Sequence, residues 1–96
     1  MATTRWGIIG PGALAHTFAD ALAACRSGRL AAIAGRAEGR RNAFGDRYGI
    51  EATRRHATYD AVAADPLIDA LYISTPHPWH AELAIMALRA GKAVLV

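Results

Sequence analysis

The chain has 96 residues, 53% of them hydrophobic, and eleven Lys and Arg against eight Asp and Glu give it a formal charge of +3. That length holds one small domain and is short for an enzyme that must seat both a cofactor and a substrate. No apolar run approaches the ~18 residues of a membrane span, and a single cysteine rules out an internal disulfide.

These features predict a soluble domain with no membrane partner. Met1 is followed by Ala2-Thr3-Thr4-Arg5, which lacks the basic, apolar and small-residue order of a signal peptide, so a cytoplasmic location is expected. The basic excess raises the question of nucleic acid. Arg36, Arg40 and Arg41 form one cluster and Arg54-Arg55 another, with no aromatic residues interleaved as stacking platforms, and no nucleic-acid partner is expected.

In chain order, Trp6-Gly7-Ile8-Ile9 predicts a first strand, and Gly10-Pro11-Gly12-Ala13-Leu14-Ala15 follows it directly. Leu14, Phe18, Leu22 and Cys25 recur at spacings near four. They predict a helix with these residues on its apolar face, Cys25 buried there as a small hydrophobe, and an end at Ser27-Gly28. Residues 30–34 are a continuous apolar run of the type buried on both faces of a parallel sheet. Residues 37–48 predict a more polar helix stopped by Gly49.

Residues 52–56 predict a short edge strand, and residues 59–64 a brief helix ending before Pro66. Residues 69–74 predict a fourth strand, followed by the turn Thr75-Pro76-His77-Pro78, where Pro78 suits a first helical position. Leu83, Met86 or Ala87, and Ala90 carry a helical stripe to Gly91, and Val94-Leu95-Val96 begins a fifth strand. No linker or internal repeat divides residues 1–96. Strands alternating with helices imply right-handed crossovers and an α/β fold, a Rossmann-type doubly wound parallel sheet in the order 3-2-1-4-5.

Strands 1 and 4 are then neighbours at the point where the winding reverses. Ligands bind there beyond the carboxyl ends of the strands, so the Gly10 turn and the Ser74-Thr75-Pro76 turn face one crevice. Strand, glycine turn and helix in that order suit a dinucleotide diphosphate. Gly10 permits the tight turn, Gly12 has no Cβ to block the phosphates, and Ala15 takes the small position where helix and strand pack closely. The N–H groups of the first turn, at Ala13 and Leu14, point with the positive end of the helix dipole at the anion.

The cofactor is chosen at the end of the second strand. A site for NAD carries an acidic residue there, whereas the 2′-phosphate of NADP needs space and positive charge. This chain reads Ala34-Gly35-Arg36, with no Asp or Glu between Asp20 and Glu38. Gly35 leaves room, and Arg36 offers a planar bidentate donor that also stacks on adenine. Arg40 and Arg41 add charge one turn on, or form a solvated helix face. NADP is favoured over NAD.

Among the remaining polar residues, the four histidines lack metal-ligand spacing, and no metal is expected. His80 either lines the nicotinamide pocket or caps and packs its helix. His16 is read as structural. No Ser-His-Asp or Cys-His arrangement is visible, so no catalytic residue is assigned.

Arg5-Trp6-Gly7-Ile8-Ile9-Gly10 with Gly12, Gly35-Arg36, Arg47-Tyr48-Gly49, the run from Asp69 to Pro76, and Ala90-Gly91-Lys92-Ala93-Val94-Leu95 recur in order. Together they resemble the N-terminal domain of the glucose-fructose oxidoreductase, inositol dehydrogenase and rhizopine-catabolism (Gfo/Idh/MocA) family. Arg5-Trp6-Gly7 and Thr75-Pro76-His77-Pro78-Trp79-His80 are most similar to its dihydrodiol dehydrogenase and NADP-dependent xylose dehydrogenase branch. The resemblance implies an oxidoreductase that moves hydride between NADP and a sugar, polyol or cyclic diol.

By position it places residues 10–14 at the diphosphate, Gly35 and Arg36 at the 2′-phosphate with Arg40 as helper, and Ser74, Thr75, Pro76 and His77 at the nicotinamide ribose. Relatives often carry Ser where this chain has Gly35 and Asn where it has His77. The family's catalytic lysine, in a Glu-Lys-Pro motif, would follow Val96, and a second domain would carry the substrate pocket and a homo-oligomer interface. Lys92 is not that lysine, because it lies in the turn before the fifth strand at the opposite end of the sheet. A different class of reading keeps the fold without the chemistry, as a non-catalytic nucleotide-sensing module.

Overall fold

The computed structural model describes residues 3–75 and 80–96. Strands β1 (Thr4–Ile9), β2 (Gly28–Ala34), β3 (Arg55–His56), β4 (Ala70–Ile73) and β5 (Ala93–Leu95) form one parallel sheet in the order β3-β2-β1-β4-β5. Between them run helices α1 (Ala13–Ala23), α2 (Glu38–Tyr48), α3 (Tyr59–Ala63) and α4 (His80–Arg89). This is the Rossmann-type α/β order that the alternation of apolar runs and helical segments predicts.

Successive strand residues point to opposite faces. Ile8 and Ile33 pack with Ala15, Ala19, Phe44 and Ile50 beneath α1 and α2, while Ile9, Ala32, Ala34, Leu71 and Ile73 pack with Val62, Ala63, Leu83 and Ala87 of α3 and α4. Both faces are covered, which is why β1, β2 and β4 read as unbroken apolar runs. Gly7 in the central strand has no room for a side chain, since a Cβ would lie 2.9 Å from Leu71.

Two expectations are corrected by packing. Helix α1 is rotated from the predicted stripe, burying Ala15, Ala19 and Leu22 and leaving Leu14 63% exposed. Ala15 and Ala19 bring the first turns of the helix close to the sheet, where a leucine would hold the backbone away. The helix also stops at Ala23, so Cys25 lies in the following turn, exposed, with Sγ 3.3 Å from Ser27 Oγ.

Residues 52–56 are not one strand. A 3-10 turn spans Ala52–Arg54 and only Arg55 and His56 pair with β2. The arginines explain the tight turn: Arg55 reaches back to the Ile50 carbonyl (2.9 Å) and Asp46 (2.8 Å) at the end of α2, and Arg54 reaches Asp65 (2.7 Å).

Charge ties the amino ends of the strands together. The Arg5 side chain and backbone N–H donate to Asp69 at 2.8–3.1 Å, and the Arg5 hydrogen bonds hold the Asp69 carboxyl down at about 2. Asp65 is buried and accepts from Arg54, the Leu67 N–H (3.0 Å) and His56 (3.0 Å). Burial pushes its carboxyl up, but these donors outweigh burial and keep it below its ordinary value. Lys92, expected as a plain surface residue, is half-buried and donates to the Asp65 carbonyl at 2.7 Å.

Candidate functional site

At the carboxyl ends of β1, β2, β3 and β4, a cleft of about 270 Å³ is lined by Gly10, Pro11, Gly12, Arg36, Ala37, Arg40, Tyr59, Ser74 and Thr75. Register builds it. Ile9 pairs with Ile73 in β4 and Ala34 in β2, and Ala34 pairs with His56, so the loops leaving all four strands open on one side.

The turn after β1 requires glycine at its first position. Gly10 has φ +94°, in the left-handed region, and a Cβ there would also meet Thr75 Cγ2 at 3.1 Å. Ser74 staples the turn from the other side: its backbone N–H donates to the Ile9 carbonyl (2.9 Å) and its hydroxyl to the Gly10 carbonyl (2.5 Å). Ser74 therefore fixes the loop through its proton, which leaves its oxygen lone pairs free to accept.

Gly12 is the N-cap of α1, and a Cβ at Gly12 would meet nothing within 4 Å. No side chain caps this end, and no acidic residue lies in its first turn. The Ala13 and Leu14 N–H groups stand where a helix has no partners of its own. Thr75 beside them is buried, and its Oγ1 has no hydrogen-bond partner among the described residues. A helix end without a cap is a place where an anion can bind, and the buried Thr75 hydroxyl lies in the loop that flanks it.

The arginines divide into two roles. Arg36 and Arg40 line the cleft, exposed, and neither makes an ion pair or hydrogen bond among the described residues; Arg36 lies over the Tyr59 ring, 5.6 Å from its centroid. Arg41, expected with them, turns away to donate to the Gly35 carbonyl at 2.7 Å. The space expected at Gly35 is also filled, because a Cβ there would lie 3.0 Å from Pro11. Gly35 thus lets the Pro11 ring close onto the end of β2 and does not itself leave room for a phosphate.

His80 does not line this cleft. Its Nε2 lies 2.6 Å from the Thr75 carbonyl, so it braces the loop that carries the orphaned hydroxyl. Pro76 and His77 lie outside the described residues. His16 packs on Phe44 and Tyr48, with Nδ1 3.0 Å from the Tyr48 hydroxyl, as a structural residue. Tyr59 and Ala37 were missed as lining residues by sequence reasoning. Tyr59 follows the helix cap Thr58, whose Oγ1 accepts from Ala61 (3.1 Å), and an aromatic just past a short third strand was the available signal.

Residues 4–96 match the model of an oxidoreductase family with an NAD-binding Rossmann fold. The chain belongs to the Gfo/Idh/MocA oxidoreductase family. Within it, the chain is 34% identical over 93 residues to trans-1,2-dihydrobenzene-1,2-diol dehydrogenase of Mus musculus, covering 95% of this chain and 27% of that enzyme. A variant of a 3-ketoreductase from Actinomadura kijaniata, solved with TDP-benzene and NADP, superposes with a TM-score of 0.88 at 37% identity over 97% of this chain and 28% of that one. An oxidoreductase from Agrobacterium radiobacter, solved with NAD+, L-tartaric acid and magnesium, superposes at 0.89 with 29% identity, over 97% and 27% of the two chains.

The chain thus spans about a quarter of the length of these relatives. As a Gfo/Idh/MocA domain it carries the family's NAD-binding Rossmann fold, and the cleft at Gly10, Gly12 and Ser74 lies beyond the carboxyl ends of its strands, where open α/β sheets bind ligands.

Proposed function

We propose that this domain binds NADP, with the diphosphate at the start of α1 and the adenosine 2′-phosphate at Arg36 and Arg40. In the whole protein it serves hydride transfer between the nicotinamide and a hydroxyl-bearing or carbonyl carbon of a sugar, polyol or cyclic diol. One observation carries the cofactor choice: two guanidinium groups without carboxylate partners line the cleft that the uncapped helix end opens onto.

The residues present fit the group. Gly12 leaves the approach to the helix end open, Ser74 and Thr75 line the cleft beside it, and no carboxylate among the described residues lines the cleft at the end of β2. A site selecting NAD needs an acid where this chain has Arg36. Known relatives include one solved with NADP and one with NAD+, so the family leaves the choice to residues such as these.

Bound here, NADP supplies or accepts the hydride. The chain's own work is to bind and orient. The Ala13 and Leu14 N–H groups and the dipole of α1 hold the diphosphate, Ser74 keeps the Gly10 turn in shape, and Arg36 grips the 2′-phosphate through paired N–H donors. Lys92 takes no part, since its ammonium holds the Asp65 carbonyl at the amino end of the sheet. The acid–base group is expected in the family's Glu-Lys-Pro segment, which would follow Val96.

Calorimetric titration of the full-length protein with NADPH and NADH tests this reading. Arg36→Ala removes charge-assisted hydrogen bonds of the order of 1.5–3 kcal/mol, and so is expected to weaken NADPH roughly ten- to hundredfold while leaving NADH nearly unchanged. Equal losses for the two cofactors contradict it.

A further inference from the structure

We propose that Tyr59 is a positioning residue for cofactor selection, holding the Arg36 guanidinium by its face so that its edge stays open to the 2′-phosphate. The inference rests on the NADP reading above and adds a residue to it.

The backbone brings the two side chains together from different strands. Ala34 pairs with His56, and the Gly35 N–H donates to the His56 carbonyl at 3.1 Å, so the ends of β2 and β3 leave the sheet side by side. Arg36 is two residues beyond that pair on one strand and Tyr59 three beyond it on the other. Thr58 caps α3 through the Ala61 N–H, which fixes where Tyr59 starts the helix. The guanidinium carbon then lies 5.6 Å from the ring centroid.

How an arginine is held decides what it can still bind. A guanidinium donates in its own plane, through five N–H groups, and is attracted to an aromatic ring through its flat face. A carboxylate partner would use the in-plane donors. An aromatic partner orders the side chain and uses none of them. Arg36 makes no ion pair among the described residues, although Asp60 lines the adjoining cleft with it.

Arg36 and Tyr59 also stand between two openings. Both line the 270 Å³ cleft that holds Gly10 and Gly12, and both line a neighbouring cleft of about 320 Å³ that extends toward Leu83 and Met86. Arg36 and Tyr59 together are the wall the two share. An arginine ordered on this wall presents its donors to a phosphate without first giving up the rotamer freedom of a long exposed side chain.

The test is titration of the full-length protein with NADPH and with NADH in Tyr59→Ala, Tyr59→Phe and Arg36→Ala. Tyr59→Ala is expected to lower NADPH affinity roughly two- to fivefold, the scale of an exposed cation–π contact, with NADH unchanged. Tyr59→Phe keeps the ring face and is expected to match the wild type. If the alanine variant fails to fold, Tyr59→Leu keeps bulk without a π face and is expected to show the same loss. A merely structural role for Tyr59 would weaken both cofactors together, and that result overturns the proposal. A gain in NADPH affinity on removing the ring overturns it as well, since the ring would then be competing for Arg36. If Arg36→Ala abolishes selectivity and Tyr59→Ala leaves it at the wild-type value, the positioning role fails while the NADP reading stands. If Arg36→Ala leaves selectivity untouched, the NADP reading itself fails.

Discussion

The two ends of the sheet use arginine in opposite ways. At the amino ends, Arg5 grips Asp69 and Arg54 grips Asp65, which also takes the Leu67 N–H. At the carboxyl ends, Arg36 and Arg40 line a cleft with no carboxylate partner, beside a helix end without a cap and a buried hydroxyl without a partner. Lack of a partner is not enough by itself, because exposed Arg29 at the amino end makes no ion pair among the described residues either. Convergence separates the two ends: among the described residues, only at the carboxyl end do cations without ion-pair partners and an uncapped helix end share one cleft.

The sharpest way to break that comparison is at the paired end. Asp65→Ala leaves Arg54 and His56 facing a buried site with no acceptor, and is expected to cost about 3 kcal/mol of stability, at the low end for a broken buried pair because Arg54 reaches solvent. Urea unfolding measures it. The NADPH-to-NADH affinity ratio of the folded protein is expected to stay as it was; a change there would show that the two ends are coupled.

A smaller effect belongs to Arg5 and Asp69, an exposed pair. The Asp69 carboxyl is held at about 2 against an ordinary 3.8, so its contribution is fully present above the ordinary value and fades as pH falls toward about 2. Asp69→Asn is expected to flatten the pH dependence of thermal melting in that acid window and to leave it unchanged near neutrality. A flattening confined to neutral pH would contradict the assignment.

The fold was legible because burial on both faces leaves unbroken apolar runs, and because turns that need positive φ mark themselves with glycine, as Gly10, Gly49 and Gly91 do. The rotation of α1 was not legible. A hydropathy stripe favours Leu14, whereas close helix–sheet packing favours Ala15 and Ala19, and only the approach distance decides between them. The uncapped helix end after the Gly10 turn could be read from residue order alone. The direction each arginine takes could not: Arg40 and Arg41 are adjacent in sequence, yet one lines the cleft and the other holds Gly35. Gly35 itself was read as space for a ligand and turns out to be space for Pro11.

The central claim is that the bare amino end of α1 is bare for a diphosphate, and Gly12→Asp tests it most directly in the full-length protein. Space around Gly12 is open, and Asp is a better N-cap than Gly by a few tenths of a kcal/mol, so the melting temperature is expected to hold or rise slightly. The same carboxylate occupies the anion seat, and affinity for both NADPH and NADH is expected to fall at least about tenfold, or ~1.4 kcal/mol. Unchanged cofactor binding in a stable Gly12→Asp protein would contradict the account.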